Sequence, residues 1–235
     1  MSTNAPKPAP RGAPEVILFD VGNTLLFPNW GRILAPLTAV GVTTTPEQLQ
    51  AIERKTKKQF DGEMTSGRGK VDHSFWEIFY GHLLELLQLP DSKLRQQLTE
   101  ATRLSANWNI IRPGTREILQ RLARRYHIGV ISNADGKIDE VLTQCKIGDC
   151  FLHITDSGIV GHEKPHPAIF AAALEKMKVA ADRAMYVGDV YSVDYLGATG
   201  AGMQATLFDV SGAYQNDGLP RVESLQEFEE QLENR

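Results

Sequence analysis

The tightest constraint on the fold is an alternation that begins at Pro113-Gly114. Short apolar runs and amphipathic segments then take turns: helix Thr115 to Arg125, strand His127 to Ser132, helix Asp135 to Gln144, strand Phe151 to Thr155. The series continues with helix Pro167 to Lys178, strand Ala184 to Val187, helix Val193 to Ala201 and strand Gln204 to Phe208. Strands joined through helices pair side by side only when each helix carries the chain back across a face of the sheet. The pattern therefore predicts an α/β architecture, a parallel sheet with helices on both faces. A last, mostly polar helix is expected over Glu223 to Leu232.

One strand stands apart from this series. Glu15-Val-Ile-Leu-Phe-Asp20 is an apolar run that ends in a carboxylate, followed by the turn formers Gly22, Asn23 and Thr24. From about Gly31 to Ser105 the texture changes, and apolar residues recur at spacings of three and four, as in Phe75, Ile78, Phe79, Leu83, Leu86 and Leu87. That period predicts three or four amphipathic helices. Residues 30–105 are thus expected to be an inserted α-helical cap, and residues 15–29 with 106–235 the core. The joints fall near Phe27 to Trp30 and Ala106 to Pro113. Residues 1–14, with four Pro and no apolar run, are expected to be a disordered tail and not a secretory leader.

Composition narrows the partners. Lys and Arg total 25 against 29 Asp and Glu, a formal net charge of −4, which argues against a broad surface for nucleic-acid phosphates. No stretch approaches the roughly 20 apolar residues of a membrane-spanning helix. Cys145 and Cys150 are the only cysteines and read as small, reduced core residues. The expectation is a soluble, cytoplasmic protein with no nucleic-acid and no membrane partner.

Ligands of an open parallel sheet bind beyond the carboxyl ends of its strands, so polar residues collected there carry most weight. Four places qualify. Asp20 and Gly22 follow the first strand, Ser132-Asn133 ends the strand from His127, Lys164 precedes a helix, and Gly188-Asp189 ends the strand from Ala184, with Asp194 five residues on. Each alone is also a common cap, turn or solvated charge. Together, carboxylates at one sheet edge can hold Mg²⁺, a Lys and a Ser hydroxyl can bind phosphoryl oxygens, and a carboxylate can act as nucleophile.

With these motifs in this order, the sequence resembles the haloacid dehalogenase superfamily of hydrolases over residues 15–210, with a helical cap inserted after the first motif. The resemblance implies a three-layer, Rossmann-like core. It also implies Asp20 as nucleophile and metal ligand, Ser132 and Lys164 as phosphate holders, Asp189 as metal ligand and Asp194 as a metal-site carboxylate, directly or through water. Gly22 would offer its backbone carbonyl to the metal, and Asn133 would contact substrate. The implied activity is a Mg²⁺-dependent phosphatase of a small phosphorylated metabolite working through an aspartyl-phosphate, as a monomer or homodimer.

One position departs from the pattern of the phosphatase branch, which carries a second Asp two residues after the nucleophile as general acid and base. Here that residue is Gly22. Losing such an acid costs on the order of 10²- to 10⁴-fold in rate. Gly22 also keeps open a 2-haloacid dehalogenase, whose leaving halide needs no proton, and a non-catalytic binder of a phosphorylated ligand. His162 and His166 flank Lys164 as possible proton donors, and Mg²⁺ would prefer the carboxylates to them. Within the cap, Trp76, Phe79 and Tyr80 read as core before they read as a substrate platform, and His73 and His82 likewise. The basic loop Thr65 to Lys70 reads as a solvated joint before an anion contact.

Overall fold

The structure, a computed structural model, describes residues 12–67, 74–90 and 92–234. Residues 1–11 of the expected tail, Arg68 to Lys70 of the basic loop and His73 lie outside the described residues. The sheet has six strands: β1 Val16–Phe19, β4 His127–Ser132, β5 His153–Asp156, β6 Ala184–Gly188, β7 Gln204–Phe208 and β8 Arg221–Val222. Their spatial order is β5-β4-β1-β6-β7-β8, and every pairing is parallel.

The period of two along a strand sends neighbouring side chains to opposite faces, and both faces here are covered. Ile17 and Phe19 of β1 pack with Ile128, Val130, Met185 and Val187. The same cluster takes in α6 (Thr115–Ala123), α7 (Ile138–Gln144) and α11 (Leu225–Glu233). Val16 and Leu18 turn the other way, toward Tyr186 and the helices α9 (Pro167–Met177) and α10 (Leu196–Gly200). The result is the expected three-layer α/β core. Register then fixes the site: Phe19 lies opposite both Val130 and Val187, so the residues that follow β1, β4 and β6 emerge at one edge.

Between β1 and β4 the chain leaves this sheet. A two-stranded antiparallel ribbon, β2 (Phe27–Pro28) with β3 (Trp108–Ile110), brackets the helices α1 (Trp30–Ile33), α2 (Ala35–Thr38), α3 (Pro46–Thr65), α4 (Ser74–Leu86) and α5 (Ser92–Arg103). The ribbon is held by Asn29 N–H donating to the Asn107 carbonyl at 2.8 Å and by the Arg112 guanidinium 4.3 Å over the Phe27 ring. α3 starts at a capping box, Thr45 with Gln48, and has Pro46 in its first turn. The five helices close over their own apolar cluster, which includes Ile33, Leu37, Ile52, Phe79, Tyr80, Leu83 and Leu98.

Several local differences from the sequence reading have short-range causes. α1 and α2 are single turns, too brief to show a period, so the described residues of the insert form five helices where three or four were expected. The expected helix Val193 to Ala201 begins as a π-helical turn, Tyr191–Tyr195. A four-residue helix, α8 (Ser157–Val160), and the two-residue β8 were not expected at all. Phe79 and Tyr80 are buried in the insert, whereas Trp76 is half-buried and faces the cavity described next. Among the described residues, no helix is long and apolar enough to cross a membrane.

Candidate active site

A cavity of about 420 Å³ opens at the carboxyl edge of β1, β4 and β6. Asp20, Gly22, Ser132, Asn133, Lys164, Asp189 and Asp194 all line it, so one cavity gathers the seven residues found at the expected strand ends and loops. The Asp20 backbone N–H extends the sheet by donating to the Val187 carbonyl at 2.8 Å. The following loop turns back tightly, with Leu25 and Leu26 N–H both donating to the Val21 carbonyl and Asn23 in the left-handed region at φ 53°.

Lys164 is the hub. Its buried Nζ donates to Asp20 Oδ1 at 2.6 Å, to Asp194 Oδ1 at 2.8 Å and to the Tyr186 hydroxyl at 2.7 Å. The Tyr186 O–H donates onward to Asp194 Oδ1 at 3.0 Å. Burial disfavours the ammonium, but Asp194 and Asp20 outweigh it and hold the Lys164 pKa above the ordinary lysine value. Asn133 was expected to contact substrate, yet its amide is engaged at both ends with the Lys164 backbone. Lys164 N–H donates to its Oδ1 at 2.7 Å, and its Nδ2 donates to the Lys164 carbonyl at 3.0 Å. These two bonds hold the Lys164 backbone against Asn133, which also lines the cavity. Asp156 and Ser157 anchor the same loop: Gly136 N–H donates to Asp156 Oδ1 at 3.0 Å and Ala134 N–H to Ser157 Oγ at 3.0 Å.

Asp194 comes close because residue 188 is Gly. A Cβ there would lie 2.5 Å from Asp194 Cγ, so no side chain fits between β6 and this carboxylate. Asp194 Oδ2 accepts from Val190 N–H at 2.9 Å, so hydrogen bonds reach both of its oxygens. Asp189 has a partner that sequence reasoning missed. The buried Lys57 of α3 reaches down from the insert, with Nζ 2.9 Å from Asp189 Oδ2 and 3.0 Å from Glu53 Oε1. Burial opposes the Lys57 ammonium, and Asp189 and Glu53 outweigh that effect to hold it charged. In the sequence Lys57 lies inside a run of Arg and Lys on a helix, which looks like a solvated face; nothing local distinguishes it.

Asp20, Asp189 and Asp194 each offer an oxygen within 4.8 Å of the others. Burial pushes Asp20 up to about 6, with Lys164 opposing and Asp194 reinforcing the rise. Burial likewise pushes Asp189 up to about 7, with Lys57 opposing and Asp20 and Asp194 adding to it. Three carboxylates and Glu53 thus face two ammonium groups, a surplus of negative charge held on hard oxygen atoms. That donor set suits a dication such as Mg²⁺. The two histidines beside Lys164 are not part of it. His162 and His166 are exposed and stacked on each other at 4.3 Å, and His166 Nδ1 accepts from Ala168 N–H to cap α9. His82 sits away from the cavity, its Nε2 2.9 Å from Gln59 Oε1.

The opposite wall, built by the insert and by β3 of the joining ribbon, is aromatic. Phe60, Phe75, Trp76 and Trp108 line the cavity, with ring centroids 5.5 Å, 5.1 Å and 5.5 Å apart in that order.

Comparison with known proteins puts a family beside this geometry. Residues 14–202 match the profile described as "Hydrolase: haloacid dehalogenase-like hydrolase". Among curated relatives, glyceraldehyde 3-phosphate phosphatase of Methanothermobacter thermautotrophicus is 38% identical over 203 residues, covering 82% of this chain and 84% of that protein. The haloacid dehalogenase-like hydrolase domain-containing protein 3 of Xenopus laevis is 29% identical over 204 residues, covering 82% and 83%. Among solved structures, the HAD-hydrolase YfnB of Bacillus subtilis bound to magnesium superposes with a TM-score of 0.69 at 17% identity, covering 94% of this chain and 99% of that one.

Proposed function

The chain belongs to the haloacid dehalogenase-like hydrolases, and from that premise we propose that it is a Mg²⁺-dependent phosphatase acting on a small phosphorylated metabolite. The observation that carries this reading is the charge cluster of the site: the carboxylates of Asp20, Asp189 and Asp194 lie within 4.8 Å of one another, with the ammonium groups of Lys164 and Lys57 paired to them. A carbon–halogen displacement needs the nucleophile alone, and holding two further carboxylates beside it without a cation is costly.

In this reading Lys164 fixes one oxygen of Asp20, and the other attacks phosphorus to give the aspartyl-phosphate. Ser132 and Lys164 hold phosphoryl oxygens, and Asn133 and Tyr186 keep Lys164 in place. Asp20, Asp189 and the Gly22 carbonyl would hold Mg²⁺, with Asp194 behind them; bound there, the ion supplies charge stabilisation at the phosphoryl oxygens. Residues 30–105 act as a cap that shuts the cavity to bulk water during reaction.

The test is hydrolysis of para-nitrophenyl phosphate with and without Mg²⁺, beside Asp20→Asn. The expected outcome is Mg²⁺-dependent turnover, reduced at least about 10³-fold by a substitution that removes the nucleophile. Turnover that survives Asp20→Asn, or none in the unaltered protein, overturns the proposal.

A further inference from the structure

Resting on the phosphatase reading, we propose that the site selects phosphoryl groups carried on an acidic, planar, apolar leaving group, a phenol or an aromatic carboxylic acid. The argument starts at Gly22. A Cβ on this residue would meet Trp108 Cζ3 at 3.3 Å and Cε3 and Cη2 at 3.6 Å, so the indole fills the space into which a side chain at position 22 would project. The ring is held from two sides: Nε1 donates to the Thr102 carbonyl at 2.8 Å, and Trp76 packs edge-on at 5.5 Å. Two residues after the nucleophile, the leaving group therefore meets the face of an indole in place of a carboxylic acid.

Three further carboxyl groups of the cavity are already engaged, and the fourth, Glu163, is only half-buried and sits beside Lys164 in the chain, so the test below includes it. Asp189 and Asp194 are tied to Lys57 and Lys164, and Asp135 accepts from Ser105 Oγ at 2.6 Å. A leaving oxygen of low basicity needs no proton donor. The carboxylate of Asp20 attacks phosphorus, the bond from phosphorus to the leaving oxygen breaks, and its electron pair departs on that oxygen as a phenolate or carboxylate. Water then attacks the phosphorus of the aspartyl-phosphate, the bond to Asp20 breaks to regenerate its carboxylate, and both hydrogens of the water leave on the product as dihydrogen phosphate. The aromatic wall supplies the second half of the selectivity. From Trp108 it continues through Trp76 to Phe75 and Phe60, a surface on which a flat apolar group stacks and an aliphatic chain gains less.

The test compares kcat/KM for benzoyl phosphate, acetyl phosphate, para-nitrophenyl phosphate, phenyl phosphate and propyl phosphate in the unaltered protein with Mg²⁺. The expected pattern is a fall of about 10²- to 10⁴-fold from para-nitrophenyl to propyl phosphate, the size of a missing general acid. Benzoyl phosphate is expected to exceed acetyl phosphate several-fold, and Trp108→Ala to erase that ratio. Gly22→Asp alone is expected to leave propyl phosphate slow, because the indole blocks the acid, whereas Gly22→Asp with Trp108→Ala raises it by about 10-fold or more. Propyl phosphate within 10-fold of para-nitrophenyl phosphate overturns the inference while leaving the phosphatase reading intact. So does a selective loss on propyl phosphate in Glu163→Gln or Asp135→Asn, which would reveal another proton donor. No turnover of any ester overturns the phosphatase reading itself.

Discussion

Asp20 and Asp189 hold their protons more tightly in the folded chain than an exposed carboxyl does, up to about 6 and about 7, chiefly because both are buried. The linkage follows from that direction. Stability contributed by these groups is fully present at pH below their unfolded values near 4 and is lost as pH rises toward 7. A dication stabilises the same carboxylates in ionised form, and protons compete with it. Mg²⁺ is therefore expected to raise the melting temperature more at pH 8 than at pH 5.5; an equal or larger rise at pH 5.5 in calorimetry would contradict this charge balance. The same residues show what a sequence reveals at this scale. Asp20, Ser132, Lys164, Asp189 and Asp194 are legible because strand ends in a parallel sheet collect chemistry. Lys57 and Tyr186 are not: one comes from an inserted helix and the other lies inside an apolar strand, and only the fold brings them to Lys164 and Asp189.

At the scale of the element, α3 is the clamp between insert and core. Gln50, Arg54, Lys57, Lys58 and Asp61 recur along one face of it. Gln50 Nε2 donates to the Val210 carbonyl at 3.2 Å and Arg54 Nη1 to the Ser211 carbonyl at 3.0 Å, while Lys58 Nζ pairs with Asp217 Oδ2 at 2.6 Å. The partly exposed contacts contribute little. Asp61 is buried and accepts from Ser192 N–H at 2.9 Å and from the Tyr214 hydroxyl at 2.8 Å, so removing it strands two donors. Asp61→Ala is expected to cost about 1–3 kcal/mol and to speed amide exchange along α3, with Gln50→Ala within about 0.5 kcal/mol of the unaltered protein. Unchanged exchange in Asp61→Ala would show that the clamp lies elsewhere. The buried strands were readable from their apolar runs, but β2, β3 and β8 have two or three residues each, too few for any period, and their pairing depends on partners far along the chain.

Taken as a whole, the molecule has separate apolar cores. The clusters on the two faces of the sheet share no residue with the one inside the insert, where Trp30 stacks on Phe79 at 5.8 Å. Leu83→Ala, at a fully buried position of that inner cluster, is expected to cost about 2–5 kcal/mol and to loosen α4 and α5 before β1, β4 and β6 in hydrogen exchange. Simultaneous loss of protection in the strands would mean that the two parts unfold as one. The ribbon that joins them has a further meaning. Because Asn29 and Asn107 meet through a 2.8 Å hydrogen bond, the chain departs and returns at nearly the same point. The helices between them form a cassette: a segment of another length with equally close ends fits there without altering the strand order, but it would have to bring its own partner for Asp189, because Lys57 leaves with α3.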